Sequence, residues 1–276
     1  GSHIRKRGED ILAGHRAIAG NSLLRPQEIG MLASLGKSSV RVYRRPKVGI
    51  LATGDELLEI GSPPAPGKII NSNSYSIAAQ VVESGGDPVM LGIAEDEMER
   101  TRDRIREGIR GDLLITTGGV SVGDRDCVKE AIVALGGEIK FWKVHMKPGK
   151  PVAFAILEGK PVFALPGNPA AAMISFEVFV RPALLKMTGH TRLFRPTVTV
   201  VLTEPIANRG DRPHLIRVWV EARQGGYVAS ATGNQSSARL SSLTAANGFM
   251  KIAPGTSLAS GESVVVSLLD RPEILP

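Results

Sequence analysis

The sequence has little cysteine, few aromatic residues and no long apolar run. Its single cysteine, Cys127, excludes an internal disulfide, and with no recognisable secretory signal the expected setting is reducing and cytoplasmic. The longest apolar candidate, residues 169 to 180, is interrupted by Glu177 and falls short of the roughly 18 to 20 residues that a membrane helix needs. A membrane partner is therefore not expected.

The five histidines show no spacing typical of a zinc site or a Ser-His-Asp triad. Zinc catalysis and triad hydrolysis are therefore not supported. Cys127 follows Asp126 and precedes apolar Val128, and we interpret it as a core residue rather than as a nucleophile.

The net charge of +7 is concentrated at one end of the chain. Ten Lys or Arg and three Asp or Glu lie in residues 1 to 47, whereas residues 48 to 276 hold 24 of each. Aromatic residues make up only 4% of the chain, and no run interleaves them with basic residues as a base-stacking platform requires. We interpret the basic segment as a solvated surface or an anion site, and no nucleic-acid partner is expected.

The length of 276 residues predicts two domains and a smaller third piece, because an average domain has roughly 150 residues. Residues 1 to 46 contain one predicted helix, residues 26 to 35, and a short strand, residues 41 to 43. Residues 47 to 189 alternate strands with helices, which is typical of an α/β domain with a largely parallel sheet flanked by helices. Residues 190 to 276 predict a small, all-β, barrel-like domain without helices.

Polar residues follow several predicted strands, and in an open α/β sheet ligands bind at that edge. Thr53-Gly54-Asp55-Glu56 follows the first strand. These residues form either a polar turn or a pair of carboxylates beside a metal or a transferred group. Asp96 precedes a charged helix and either caps it or joins those carboxylates.

A glycine-rich turn follows the third predicted strand. It contains Gly118, Gly119 and Gly123, the hydroxyl of Ser121, and Asp126 just beyond. Backbone N–H groups in such a turn can approach an anion, and the carboxylate can hold a cation.

Two basic residues, Lys147 and Lys150, lie in a proline-rich loop that is either solvent-facing or an anion clamp. Residues 166 to 169 follow a further strand, and Asn168 is predicted to cap the next helix. Lys143, at a strand end, is either a surface lysine with a buried stem or part of the same basic group.

Together these motifs resemble the molybdopterin molybdenumtransferases, the family of the gephyrin E domain. The resemblance covers almost the whole chain. It rests on these segments in order: Arg7–Ile11, Ile29–Gly36, Arg44–Pro46, Thr53–Leu57, Ile70–Asn73, Thr117–Asp126, Lys147–Pro151, Leu165–Pro169 and Ala246–Gly248.

The resemblance implies insertion of molybdenum from molybdate into adenylylated molybdopterin, with loss of AMP and use of Mg²⁺. It assigns the active-site acids and magnesium ligands to Glu56, Asp96 and Asp126, and basic catalytic residues to Lys143 and Lys147. Substrate contacts are expected from a larger set around the same pocket: Thr53, Asp55, Gly118, Gly119, Ser121, Gly123, Lys150, Pro166, Gly167, Asn168, Pro169, Ser236, Ser237 and Arg239. The last three belong to the β domain, where Gln235-Ser236-Ser237-Ala238 stands in place of the family's Gly-Ser element.

Members of this family carry further N-terminal domains that form a dimer arm. The chain is accordingly interpreted as N-terminally truncated, and is expected to be monomeric or weakly associated although the full-length family is dimeric. The expected partners are the pterin substrate and an upstream molybdopterin adenylyltransferase. Two alternatives stay open, an adenylyltransferase-type activity and a non-catalytic binding scaffold, and the choice of molybdenum or tungsten is also open.

Overall fold

A computed structural model describes residues 1–119 and 127–270, and the backbone of residues 273–274. Ser121, Gly123 and Asp126, which the sequence places in the glycine-rich turn, lie outside the described residues. Within the described part, no helix combines the length and apolar character needed to cross a membrane.

The N-terminal segment contains one helix, α1 (Pro26–Ser34), which buries none of its residues. Pro26 occupies the first turn and Gly36 follows the end with φ +72°, as the sequence predicts. The predicted strand at residues 41 to 43 is wrong. Those residues are irregular and exposed, and none of the described strands pairs with them.

The middle of the chain forms a six-stranded sheet with helices on both faces. Its elements are β1 (Lys47–Thr53), β2 (Leu57–Leu58), β3 (Ile69–Ile70), α2 (Asn73–Glu83), β4 (Asp87–Ala94), α3 (Met98–Gly108), β5 (Leu113–Thr117), α4 (Cys127–Ala134), β6 (Glu138–Trp142), β7 (Ala153–Leu157), β8 (Lys160–Leu165), α5 (Pro169–Ser175), a π-helical segment (Phe176–Val180) and α6 (Arg181–Met187).

The sheet has the order β4-β1-β5-β8-β7-β6, with the short pair β2 and β3 separate from it. Strands β4, β1, β5 and β8 are parallel, as predicted, whereas β7 and β6 run antiparallel at one edge. Alternate residues of the buried strands pack on opposite faces, Leu51 against α3 and α4, and Ile50 against α2 and the helices after β8. Burial on both faces explains the continuous apolar runs of these strands.

The last part of the chain is a small barrel. Its elements are β9 (Thr197–Leu202), β10 (Ile206–Ala207), β11 (His214–Arg223), β12 (Gly226–Ala231), α7 (Ser241–Thr244), β13 (Gly248–Ile252), β14 (Ser257–Leu258), β15 (Ser263–Leu268) and β16 (Glu273–Ile274). Five strands close in the order β12-β9-β15-β13-β11, because β11 also pairs with β12. The expectation of a barrel-like, all-β region is confirmed, apart from the single turn of α7.

The sheet region and the barrel share an apolar contact. Met146 from the loop before β7, Ile174 from α5 and Leu215 from β11 form one buried cluster. At the same place the backbone of Lys147 donates to Pro213 O at 2.9 Å and accepts from Leu215 N at 2.7 Å. The basic loop is therefore held between the two parts of the molecule.

Candidate functional site at the sheet edge and barrel

The carboxyl ends of β1 and β5 approach each other closely. Gly118 and Gly119 have φ of +90° and +64°, which side chains other than glycine rarely adopt. A Cβ on Gly118 would lie 2.3 Å from the backbone oxygen of Thr53, and one on Gly119 would lie 2.7 Å from Thr53 Oγ1. The glycines are therefore required by the fold, and both are half-buried at this edge of the sheet.

Several buried polar atoms at this edge have no hydrogen-bond partner among the described residues. They are Thr53 Oγ1, Thr116 Oγ1, Thr117 Oγ1 and Asn73 Oδ1. The amide of Asn73 donates to Gly167 O at 2.7 Å, which joins the start of α2 to the loop after β8. Buried polar groups are normally satisfied by protein or water, and these four oxygens lie together near the carboxyl ends of β1 and β5 and the start of α2.

The acidic residues lie at the ends of β1 and β4. Asp55 Oδ1 accepts a hydrogen bond from the backbone N–H of Asp96 at 3.0 Å, and the carboxylate of Glu56 folds back over Gly54. Lys68 donates to the backbone oxygen of Asp55. Asp55 and Glu56 are exposed and Asp96 is half-buried, so all three are accessible from this edge.

Asp96 does not cap the helix that follows. The N-cap position of α3 belongs to Glu97, and the backbone of Asp96 serves the Asp55 carboxylate instead. Within residues 1–119 and 127–270, no three His, Cys, Asp or Glu side chains converge as a metal site would require. The predicted third acid, Asp126, lies outside those residues.

The basic loop between β6 and β7 presents exposed side chains of Lys147 and Lys150. Gly149, with φ +102°, packs so closely against α5 that an added Cβ would lie 2.6 Å from Ser175 Oγ, a buried hydroxyl with no partner. Lys143 is also exposed, and its ammonium lies 3.9 Å from the centre of the Trp142 ring.

The loop after β8 meets the barrel. Asn168 occupies the N-cap position of α5, but its side chain does not cap the helix. Its Nδ2 donates instead to Ser237 Oγ at 3.1 Å, and Ala170 N donates to Ser237 O at 3.0 Å. Pro166 is buried, Pro169 half-buried and Gly167 exposed beside Gly118. The structure therefore brings residues 166 to 170 together with the barrel residues predicted to border the same pocket.

A fully buried arginine, Arg217, lies beside Ser236 and Ser242 of the barrel. It was not predicted from the sequence. Arg217 Nε donates to Ser242 Oγ at 3.1 Å and Nη2 to Ser236 O at 3.1 Å, while Nη1 has no partner. Burial alone lowers the pKa of Arg217, and no carboxylate of the described residues raises it. The predicted contact Arg239 has an exposed side chain, and its backbone oxygen accepts from Ser242 Oγ.

Burial and positive charge also act on His214, at the start of β11. Burial, followed by the charges of Lys147, Arg217 and Arg212, lowers the pKa of His214 to about 4. The imidazole is therefore neutral near pH 7, and its Nε2 has no partner among the described residues.

One feature of the sequence could have identified Arg217 as a functional residue. It is a single charged residue inside the apolar run from Leu215 to Val220. A buried strand tolerates such a residue only for a specific contact.

A cavity of about 810 Å³ lies away from this edge, between residues 18 to 24, residues 40 to 43 and the end of α6. Its lining includes Arg41 and Arg45 but no carboxylate. The convergent polar groups are at the sheet edge and the barrel, so we place the candidate site there.

Comparison with known proteins gives matches over most of the chain. The family described as "Probable molybdopterin binding domain" matches residues 49–186, and the family described as "MoeA C-terminal region (domain IV)" matches residues 199–269.

Among curated proteins, molybdopterin molybdenumtransferase of Bacillus subtilis is 37% identical over 98% of this chain and 63% of its own length. The protein of that name from Nostoc is 35% identical over 96% of this chain and 63% of its own length. The chain thus spans a little under two thirds of the length of these relatives.

Among solved structures, a molybdopterin biosynthesis protein from Pyrococcus horikoshii superposes with a TM-score of 0.81 at 28% identity, covering 96% of this chain and 64% of that one. A molybdenum cofactor biosynthesis protein from Pyrococcus furiosus gives a TM-score of 0.70 at 27% identity, covering 95% and 82%. Both likenesses extend across the sheet region and the barrel.

Proposed function

The chain belongs to the molybdopterin molybdenumtransferase family, and from that premise we propose that it inserts molybdenum from molybdate into adenylylated molybdopterin with release of AMP. The chain's place in molybdenum cofactor biosynthesis follows from its family. The reaction itself, its ligands and its site residues are the proposal.

The observation that carries the proposal is the buried guanidinium of Arg217. A buried cation without a carboxylate is costly, and it becomes favourable when an anion enters and completes its hydrogen bonds. The positive charges of Arg217 and Lys147 both lower the pKa of His214, so the two cations act on the same residue. A tetrahedral oxyanion such as molybdate matches this chemistry because it carries negative charge and accepts hydrogen bonds on every side.

The pterin phosphate and the adenylate need a second set of contacts at the sheet edge. In this proposal the exposed lysines of the basic loop supply them, beside the turn at Gly118 and Gly119, where the N–H of Gly118 stays bonded to Leu165 O. In this proposal Lys143, Lys147 and Lys150 bind phosphate oxygens, and fixed donors stabilise the charge that develops as the phosphoanhydride breaks. Ser236, Ser237 and the loop from Pro166 to Pro169 close the pocket from the barrel side.

The acids would hold Mg²⁺. Carboxylate oxygen is the ligand type that Mg²⁺ prefers, and Glu56 and Asp96 present it at neighbouring strand ends, with Asp126 as the proposed third ligand. Bound there, the ion would neutralise phosphate charge during cleavage. Asp55 has a different role. Its carboxylate accepts a hydrogen bond from the backbone N–H of Asp96 and thereby orients that acid.

We expect the chain, incubated with adenylylated molybdopterin, molybdate and Mg²⁺, to release AMP in a molybdate-dependent reaction measured by chromatography. Glu56→Ala should abolish the release. Arg217→Met should reduce it at least about 10-fold by weakening molybdate binding, while retaining the folded state, because a methionine can fill the space of a buried unpaired arginine.

The matched control is Arg223→Met, on the same strand but exposed and paired with Glu221. It should behave as the parent in both activity and thermal unfolding. No AMP release by the parent, or equal release by Glu56→Ala, would contradict the proposed reaction. Formation of adenylylated molybdopterin from ATP would instead favour the adenylyltransferase alternative.

The remaining expectations belong to this proposal. They are a sheet domain at residues 47 to 189 and a barrel domain at residues 190 to 276, an upstream adenylyltransferase as partner, and a cytoplasmic setting. The hydrogen bonds of Lys147 and Ser237 across the two parts support a pocket that needs both of them. A stand-alone adenylyltransferase fold lacks the barrel, which is the reason for preferring molybdenum insertion.

A further inference from the structure

Two lysine side chains meet on one indole ring at the end of β6, the strand that leads into the basic loop. The ammonium of Lys129, from the first turn of α4, lies 3.7 Å from the centre of the Trp142 ring, and that of Lys143 lies 3.9 Å from it. Cations at this distance from an aromatic face are attracted by the quadrupole of the ring, and tryptophan provides the strongest such face. One side chain therefore holds two cations from different elements.

The backbone conformation of Lys143 allows this contact. Neighbouring residues of a strand point to opposite faces, so a lysine directly after Trp142 would ordinarily point away from the ring. Lys143 has φ +65°, a conformation uncommon for residues other than glycine, and its N–H donates to Val152 O at 3.0 Å. The chain turns here out of β6 into the basic loop, and the turn carries the ammonium back over Trp142.

Packing alone does not account for the choice of tryptophan. The ring packs at the edge of the apolar cluster under α3 and α4, but its Nε1 is buried and has no hydrogen-bond partner in the part of the chain that the structure describes. A phenylalanine or leucine would fill much of this space without an orphaned N–H, whose burial is unfavourable. The property that tryptophan adds is its extended aromatic face, on which both ammonium groups lie.

We propose that Trp142 is a positioning residue for the anionic substrate, holding the ammonium of Lys143 at the mouth of the pocket and linking it to Lys129 on α4. The inference rests on the proposed function, in which Lys143 binds a phosphate oxygen. Lysine has a flexible four-carbon stem, so without the ring its ammonium samples many positions. Substrate binding then has to restrict that motion, and affinity falls.

The first test is steady-state kinetics of AMP release with variants at Trp142. Trp142→Leu should raise KM for adenylylated molybdopterin about 3- to 10-fold with little change in kcat, the range expected for loss of a cation–π contact. Trp142→Phe, which keeps a smaller aromatic face, should show a smaller rise. Thermal stability of Trp142→Phe should match the parent, which separates positioning from packing.

The same kinetic measurement in a Lys143→Met variant makes the test specific to the lysine–tryptophan contact. There, Trp142→Leu should cause no further rise in KM, because the cation that the ring positions is gone. Trp219→Phe is the control for substitution of tryptophan, since Trp219 lies on β11 of the barrel, and it should leave KM unchanged. A parental KM in Trp142→Leu, or an undiminished rise in the Lys143→Met background, would overturn the proposal.

Fluorescence separates failure of this inference from failure of the proposed reaction. Trp142 and Trp219 are the two tryptophans of the chain, so Trp219→Phe leaves Trp142 as the reporter. Its emission should shift when Lys143→Met or Lys129→Met is added, whether or not AMP is released. Unchanged emission in both double variants would show that the cations do not contact the ring, and would overturn the inference independently of activity.

Discussion

At the scale of single residues, the glycines at the end of β5 have two roles. Their positive φ and their closeness to Thr53 follow from the sharp turn out of a buried strand. The same lack of side chains lets the N–H of Gly118 donate to Leu165 O at 3.1 Å, which links the end of β5 to the end of β8. A substitution at Gly118 therefore disturbs both the turn and this link.

Gly118→Ala should lower the free energy of unfolding by about 3 kcal/mol, because the new methyl group would collide with the Thr53 backbone and the residue would keep a strained φ. Gly159→Ala isolates the second effect, since Gly159 has φ +74° but open space around it. It should cost only about 1 kcal/mol. Urea denaturation measures both, and equal losses would contradict a tight contact at Gly118.

The sequence indicates the candidate site residues at strand ends better than those inside strands. Asp55, Glu56, Lys147 and Asn168 stand in polar segments, so their positions at the sheet edge follow from the parallel topology. Arg217 is enclosed by apolar neighbours in sequence, and only the packing of β11 against the Ser236 loop shows that it is buried without a carboxylate. Side-chain direction, as at Asn168 and Lys143, also had to come from the structure.

At the scale of elements, the π-helical segment after α5 contains a buried acid. Glu177 accepts from Gln80 on α2 at 2.9 Å and from Arg195 at 2.8 and 3.1 Å. Arg195 also contacts Glu83 and the backbone oxygen of Leu269. One arginine thus connects α2, the π-helical segment and the end of β15.

Arg195→Met should lower the free energy of unfolding by about 3 kcal/mol, because it leaves the Glu177 carboxylate buried without its closest cation. Adding Glu177→Gln should recover part of that loss. The control Arg192→Met lies in the same connecting segment at an exposed position and should have little effect. Chemical denaturation gives the comparison, and additive losses in the double variant would argue against the pair.

The type of an element was predictable where its apolar residues had a regular spacing, and less so at the β7–β6 end of the sheet. The central strands are continuous apolar runs because both of their faces are buried, whereas β7, between β8 and β6, alternates buried and half-buried residues and was not predicted. Residues 41 to 43 have β-forming side chains, but strand formation needs a partner, and none of the described strands lies beside them.

At the scale of the whole molecule, the contact between the sheet region and the barrel places charge next to apolar packing. Met146, Ile174 and Leu215 exclude water, while Lys147, Arg212 and Arg217 surround His214. The net charge of the chain resides in residues 1 to 47, so it does not reveal this local concentration of cations. Local charge, rather than the total, is relevant to anion binding.

The stability of the protein should fall as the pH is lowered from 7 to 5. The pKa of His214 is about 4 when folded and near 6.5 when unfolded, so over this interval the unfolded chain binds more protons. The linked loss is at most about 2 kcal/mol. His214→Gln should reduce the pH dependence by that amount, whereas His15→Gln, at an exposed position, should retain it. Urea titrations at both pH values test this, and parallel curves for parent and His214→Gln would contradict it.

The attachment of the basic loop has a consequence for how such a pocket can change during evolution. Lys147 is fixed by its own N–H and carbonyl, through Pro213 and Leu215, so its location does not depend on its side chain. New side chains can therefore be tried at this position without rebuilding the scaffold. In this loop the backbone determines the position and the side chain determines the ligand contacts. Substitutions at Lys147 are therefore a ready route by which specificity can diverge among descendants of this chain.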